Sequence, residues 1–188
     1  MEAASKHLLS LVNDLLDLSK IEAGKLTLDL ADVNLAEVVE EVTSELEQMA
    51  EDKGVGMEVD VAPCRVLADR VRLRQALINL LGNAVKFTEE GGVRIHVAAD
   101  PGTGVATISI SDTGPGIPPD QQNSIFERFK QVDSSPTRSA GGTGLGLAIT
   151  KNLVKLHGGS IRLDNSDSEG STFIFTIPLA EQKDEFRG

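Results

Sequence analysis

Residues 69–87 carry two stripes at once, and that pairing restricts the folds open to the chain. Leu73, Leu77, Leu81 and Ala84 fall on one helical face, while Asn79, Asn83 and Lys86, separated by four and then three residues, fall on another. Asp69 is placed to cap the start of this helix, which runs to about Phe87. Such a helix must bury one side and present two amides and an ammonium on the other. The material to bury it against is present in period-two runs. Val55, Met57, Val59 and Val61 alternate, as do Val93, Ile95 and Val97 after the Gly91-Gly92 turn, and a further run carries Val105, Ile108 and Ile110. Residues 161–163 and 173–177 read as strands joined by a turn, and residues 26–30 as a short strand. Asn34, with Glu37 three residues on, starts a helix through Leu35, Val38, Val39, Val42, Leu46 and Met49, and a last helix spans 145–156. Helices interleaved with hairpin-linked strands predict an α/β two-layer sandwich, a mixed sheet of five or more strands backed by helices.

Ahead of this body, Leu8, Leu11, Leu15 and Leu18 recur at the alternating three- and four-residue spacing of a coiled-coil seam, widened by Val12 and Leu16. Gly24 is a natural stop, and no adjacent helix has a matching seam. The helix therefore calls for a partner from sequence outside this chain or from another copy; packing on its own domain is the alternative. The expected organisation is a coiled-coil-like helix in residues 1–25, a folded body in 26–180 and a polar tail in 181–188. Residues 115–146 are rich in Gly, Pro, Ser and Gln and read as mostly loop, broken by Ile125, Phe126 and Phe129.

Composition narrows the partners. Eighteen basic against 29 acidic side chains leave a formal charge of −11, which repels a nucleic-acid backbone and requires any phosphate ligand to be held locally. The lone Cys64 cannot form an internal disulfide or a multi-cysteine metal site and reads as a reduced core residue. No run approaches the roughly 18 apolar residues of a membrane span, and no secretory signal is recognisable at the N-terminus. The expectation is a cytoplasmic fragment without direct membrane contact, compatible with a parent anchored upstream.

Three segments carry chemistry. The amide oxygens of Asn79 and Asn83 are hard donors suited to Mg²⁺, and Lys86 can neutralise phosphate charge, although an exposed polar face is the plainer reading of the stripe alone. Residues 112–117 (DTGPGI) place a carboxylate at the end of an apolar strand; it can accept a hydrogen bond from an exocyclic amine such as adenine's, or simply make a turn. Residues 141–147 (GGTGLGL) run into the last helix, whose N-terminal amides and dipole favour an anion. That glycine string lacks the Lys-Ser/Thr ending of a P-loop, departs from the dinucleotide fingerprint and follows no strand.

Taken in order, residues 79–88 (NLLGNAVKFT), 112–117 (DTGPGI), 125–129 (IFERF), 142–147 (GTGLGL), 157–159 (HGG) and 170–173 (GSTF) closely resemble the sequence boxes of bacterial-type histidine kinases. Residues 13–25 (NDLLDLSKIEAGK) resemble the end of that family's second hairpin helix and its linker. The resemblance implies a Bergerat-type fold, ATP and Mg²⁺ as ligands, and phosphoryl transfer to histidine in two-component signalling. It implies that Asp112 binds the adenine amine and that Gly114, Gly116 and Ile117 shape the base pocket. Asn83, supported by Asn79, is implied to hold Mg²⁺, Lys86 to contact phosphate and Phe87 to pack near adenine. Gly142, Gly144 and Gly146, with Thr143 and Leu145 between them, would wrap the phosphates; Thr172 would complete the ATP site, and residues 130–141 would form a lid. The implied partners are an acceptor-histidine hairpin of the parent protein, in cis or across a homodimer, and the receiver domain of a response regulator.

The chain also departs from the family. Its phosphoacceptor box is absent: His7 lies on the first helix, His96 on a strand and His157 in the His-Gly-Gly turn, none with the family's neighbours. The fragment is therefore expected to bind ATP without phosphorylating itself efficiently. Where some members carry an arginine after the aromatic patch this chain has Lys130-Gln131, leaving Arg128 and Arg138 as candidates for stabilising the γ-phosphate. Two alternatives share the fold: an ATPase of the topoisomerase, chaperone and mismatch-repair type, which needs a Glu base where Asn79 stands, and a pseudokinase that senses nucleotide by changing shape.

Overall fold

The computed structural model describes residues 2–130, 143–167 and 169–181. The elements run α1 (Glu2–Glu22), β1 (Ala31–Asn34), α2 (Leu35–Lys53), β2 (Gly56–Val61), β3 (Arg65–Ala68), α3 (Arg70–Phe87), β4 (Gly92–Asp100), β5 (Val105–Asp112), α4 (Pro119–Gln122), α5 (Gly146–Leu156), β6 (Ile161–Asp167) and β7 (Gly170–Pro178). Five strands form one sheet in the order β2-β4-β5-β7-β6. Strand β2 is parallel to β4, and the other neighbours are antiparallel. This is the mixed sheet that the alternating runs predict.

The sheet has one dry face. Val93, Ile95 and Val97 of β4, Ala106, Ile108 and Ile110 of β5, and Phe175 and Ile177 of β7 are buried. The residues between them on β4, Arg94 and His96, are exposed. Against the dry face lie Leu35, Val38, Val39, Val42 and Leu46 of α2 and Leu73, Leu77, Leu80 and Leu81 of α3. Each such side chain stabilises the fold by roughly 1.5–3 kcal/mol, against at most about 1 kcal/mol for the exposed Arg70–Glu41 pair, so the apolar stripes set how the helices sit. Asn34 caps α2 as its sequence position predicts, accepting from the Ala36 amide at 3.2 Å and donating to Glu37 Oε1 at 3.0 Å.

Four expectations need correction. Residues 26–30 form no strand; pairing begins at Ala31, opposite Ala68. Leu26 instead packs beside Leu18, Leu145, Ile149 and Leu153, so the apolar alternation there serves a helix contact. Strand β3, its partner, is short and lacks a period-two signature. Val59 of β2 is 49% exposed because β2 lies at the edge of the sheet, and Met49 of α2 turns outward while Ala50 is buried. The seam of α1 is also divided: Leu18 is buried against α5, whereas Leu9, Val12, Leu15 and Leu16 are exposed. The end of α1 thus packs on its own domain. Cys64 is a free thiol partly buried against the core, as expected.

Candidate functional site

Helix α3 is held at both ends. At its start, the Asp69 carboxylate accepts from the Val71 and Arg72 amides at 3.0 and 3.1 Å. The Asp69 amide in turn donates to His157 Nε2 at 3.0 Å, and His157 Nδ1 is 2.8 Å from the Leu153 carbonyl. Both ring nitrogens are engaged when the proton sits on Nδ1, so this buried imidazole ties the beginning of α3 to the end of α5. At the other end, the Lys53 ammonium donates to the carbonyls of Val85, Lys86 and Thr88 at 2.8, 2.6 and 2.7 Å. All three of its protons neutralise the carbonyl end of the helix. The stripe of Asn79, Asn83 and Lys86 is therefore carried on a fixed rod.

Asn79 meets α5 directly. Its Nδ2 donates to Thr150 Oγ1 at 2.8 Å, and its Oδ1 lies against the Cα of Gly146, where a Cβ would overlap Oδ1 and come within 2.8 Å of Cγ. Gly146 opens α5, and no side chain among the described residues caps that helix. The N-terminal amides of an eleven-residue helix are thus left to another acceptor beside the amide stripe. Asn83 is half-buried one turn further along. Lys86 lies 5.1 Å from the centre of the Phe87 ring, and burial lowers its pKa below the usual lysine value.

The end of β5 lies beside the last residue of α3. Burial pushes the Asp112 carboxyl above the usual carboxylate range, opposed by hydrogen bonds from the Gly114 and Ser171 amides. The Gly114 amide donates to Asp112 Oδ1 at 2.9 Å. A Cβ on Gly114 would reach 2.8 Å from that oxygen and 3.3 Å from the Phe87 carbonyl, so the turn lies on the end of α3. Gly116 adopts φ 71°, a left-handed bend that costs a glycine little, and leads into the half-buried Ile117.

The predicted residues do not all converge. Asn79 and Gly146 meet beside Thr150, which no motif singles out, and Asp112 and Gly114 meet the end of α3. Leu145 is buried against Leu18, Ile149 and Leu153, and its amide donates to Thr143 Oγ1 at 3.0 Å, so both residues are used internally. The Thr143 side chain also hydrogen-bonds Asp14 of α1. Gly144, at φ 67°, would bring a Cβ within 2.8 Å of the Phe129 backbone. Arg128 is ion-paired with Glu22 at the end of α1. Gly142, Arg138 and most of the expected lid lie outside the described residues.

Thr172 is a correction. It pairs with Ser111 in register, and their hydroxyls lie 3.0 Å apart. Strand alternation puts this pair on the sheet face opposite Ile110, Asp112 and Phe173. Ser171, opposite Asp112 and buried, faces the site instead. Counting back in twos from the apolar Ile177, Phe175 and Phe173 would have found it.

Among the three histidines, His157 is structural, His96 pairs with Asp60 at 2.8 Å on the exposed sheet face, and the His7 side chain is not described.

Comparison with known proteins places this geometry. The profile of the histidine kinase-, DNA gyrase B- and HSP90-like ATPases matches residues 68–181, which include α3, β5 and α5. The chain belongs to that family. Its relatives place it among the sensor histidine kinase catalytic domains. It is 45% identical over 184 residues to the circadian input-output histidine kinase CikA of Synechococcus elongatus, covering 93% of this chain and 24% of that protein. With the histidine-protein kinase BarA of Escherichia coli the identity is 42% over 185 residues, covering 95% and 20%. The chain thus spans a quarter or less of these two relatives. The crystal structure of full-length ShkA in complex with AMPPNP superposes with a TM-score of 0.84 at 39% identity, over 95% of this chain and 37% of that one. The mycobacterial sensor histidine kinase MprB gives 0.71 at 35%, over 79% of this chain and 98% of that one. The two-layer architecture is the Bergerat fold of this family, and the ATP-binding class read from the motifs holds.

Proposed function

We propose that this chain binds ATP with Mg²⁺ between α3, the end of β5 and the start of α5, and transfers the γ-phosphoryl group to a histidine outside the chain. The observation that carries this reading is the contact of Asn79 with Gly146. A glycine that leaves room for an amide oxygen at an uncapped helix start joins a cation donor to an anion site, the pairing that a metal-bound polyphosphate needs. Asn79 and Asn83 are the residues suited to hold Mg²⁺, whose chemistry is to neutralise phosphate charge. Asp112 accepts from the adenine amine, with Phe87, Gly114, Gly116, Ile117 and Ser171 around the base. Lys86 and the helix amides of Gly146 and beyond stabilise the phosphates. Positioning and charge dominate phosphoryl transfer, so the absence of a carboxylate from this stripe suits a kinase better than a hydrolase.

In this reading α1 is the last helix of the dimerisation hairpin, and its exposed leucines await the rest of a bundle in a homodimeric parent. The receiver domain of a response regulator then takes the phosphoryl group from the histidine. Arg128 and Arg138 are the candidates for stabilising the γ-phosphate, and each is tested by comparing transfer with binding in its alanine variant. No helix among the described residues is long and apolar enough to cross a membrane; the proposed place of action is the cytoplasm.

The decisive experiment is calorimetry of ATP binding with magnesium, followed by phosphoryl transfer to a separately supplied acceptor hairpin of a related kinase. Binding with transfer supports the proposal. Binding without transfer favours a nucleotide-sensing role, and no binding overturns both.

A further inference from the structure

We infer that Thr150 is a positioning residue that aims the carbonyl oxygen of Asn79 at the divalent ion. The inference rests on the metal-binding role proposed for Asn79. Thr150 is 1% exposed and lies on the inner side of α5 with Ala148, Ile149, Leu153 and Val154. A valine there would fill the same space, and burying a hydroxyl is unfavourable unless it is hydrogen-bonded. The hydroxyl meets the Asn79 Nδ2 at 2.8 Å. A hydroxyl can donate or accept; here it accepts from the Asn79 nitrogen, which leaves Oδ1 off the threonine.

The consequence concerns which end of the amide faces the site. An asparagine side chain has an acceptor end and a donor end of almost equal shape, and rotation about its last torsion exchanges them. Only the oxygen can ligate a cation. With Nδ2 held on Thr150, Oδ1 turns to the Cα of Gly146, one helical turn before Thr150 on α5. Thr150 and Gly146 thus act on one side chain: the hydroxyl selects the rotamer, and the glycine clears the space into which the oxygen points. Without the hydroxyl, the amide samples both orientations and presents its N–H groups to the ion part of the time.

The test compares Thr150→Val, which keeps the shape, with Thr150→Ser, which keeps the hydroxyl. Affinity for a fluorescent ATP analogue is measured with saturating Mg²⁺, across a Mg²⁺ titration, and in chelator. Thr150→Val is expected to weaken binding about tenfold in Mg²⁺, to raise the Mg²⁺ concentration for half-maximal binding, and to leave binding in chelator within about twofold. Thr150→Ser is expected to restore the wild-type curve. Equal loss with and without Mg²⁺ makes Thr150 a packing residue and overturns the inference, as does no loss in either condition. If the wild-type protein itself shows no Mg²⁺ dependence, the metal role of Asn79 has failed, and the inference falls with it. A second readout needs no variant: in the nucleotide-free protein, NMR should show the Asn79 side-chain NH₂ with slowed exchange and one orientation. A freely averaging NH₂ overturns the inference even if Thr150→Val does not fold.

Discussion

The Asp17 carboxylate on α1 lies 2.6 Å from Arg72 Nη1 on α3, and both side chains are largely buried, at 13% and 22% exposure. Gln75 also donates to the same oxygen, at 3.1 Å. Beside them Leu18 enters the apolar cluster of α5. The end of α1 is thus fastened to the nucleotide-binding body by charged as well as apolar contacts, the Arg128–Glu22 pair among them.

Asp17→Asn should loosen this joint by about 1–3 kcal/mol, because it leaves a partly buried guanidinium without its counter-charge. Hydrogen exchange should show the last turns of α1 opening faster while the amides of α3 keep their protection. Burial alone would raise the Asp17 pKa, but hydrogen bonds from Arg72 and Gln75 and the charges of Arg72 and Lys20 outweigh it and hold it below the usual aspartate range. Its stabilising contribution is therefore complete above the ordinary aspartate pKa and is lost as pH falls through the depressed one.

Asp14, one turn earlier, has the opposite sign. Burial and the neighbouring Asp17 raise its pKa, against a hydrogen bond from Thr143. A raised carboxyl pKa means that the docked state prefers the proton, so its penalty applies at neutral pH and fades as pH falls through the raised value. Asp14→Asn should stabilise the docking of α1 at pH 7 and have little effect well below that value, as followed by urea unfolding at several pH values.

Asp112→Asn should weaken ATP binding about tenfold or more, since a charge-assisted acceptor is replaced by an amide that can present N–H to the adenine amine. Because burial raises the Asp112 pKa, wild-type affinity should begin to fall at a higher pH than an ordinary aspartate would dictate. Calorimetry across the mildly acidic range checks this. Loss of that pH dependence in the variant is the second expected outcome.

Gly146→Ala places a methyl group on the Asn79 amide. Either α5 shifts or Asn79 leaves its rotamer, at a cost of about 1–3 kcal/mol for overpacking, and ATP binding should suffer in both cases. Thermal unfolding together with nucleotide titration measures the two effects.

Lys53→Met should destabilise the body by roughly 2–3 kcal/mol, because three carbonyls at the end of α3 lose their shared ammonium donor. A lowered urea midpoint with an unchanged slope is the expected result.

Much of this arrangement was legible in the residues. The helices α2, α3 and α5 announced themselves through apolar spacing, and α2 and α3 also through their Asn34 and Asp69 caps, all local signals. The pair β1 and β3 did not, because four-residue strands carry too few alternations and their pairing spans distant sequence. The heptad spacing of α1 showed that Leu18 needed an apolar partner but could not say that α5 supplies it. Similarly, a motif names the threonine in Gly-Ser-Thr-Phe without stating its face; the register with β5 turns Ser171 inward and Thr172 outward.

The histidine between α3 and α5 has a mechanical consequence. Joined at one end through His157 and at mid-length through Asn79 and Thr150, the two helices have little freedom to tilt independently. A force applied where α1 leans on α5 is then passed to the whole pair as a single lever, without first unpacking the protein's interior.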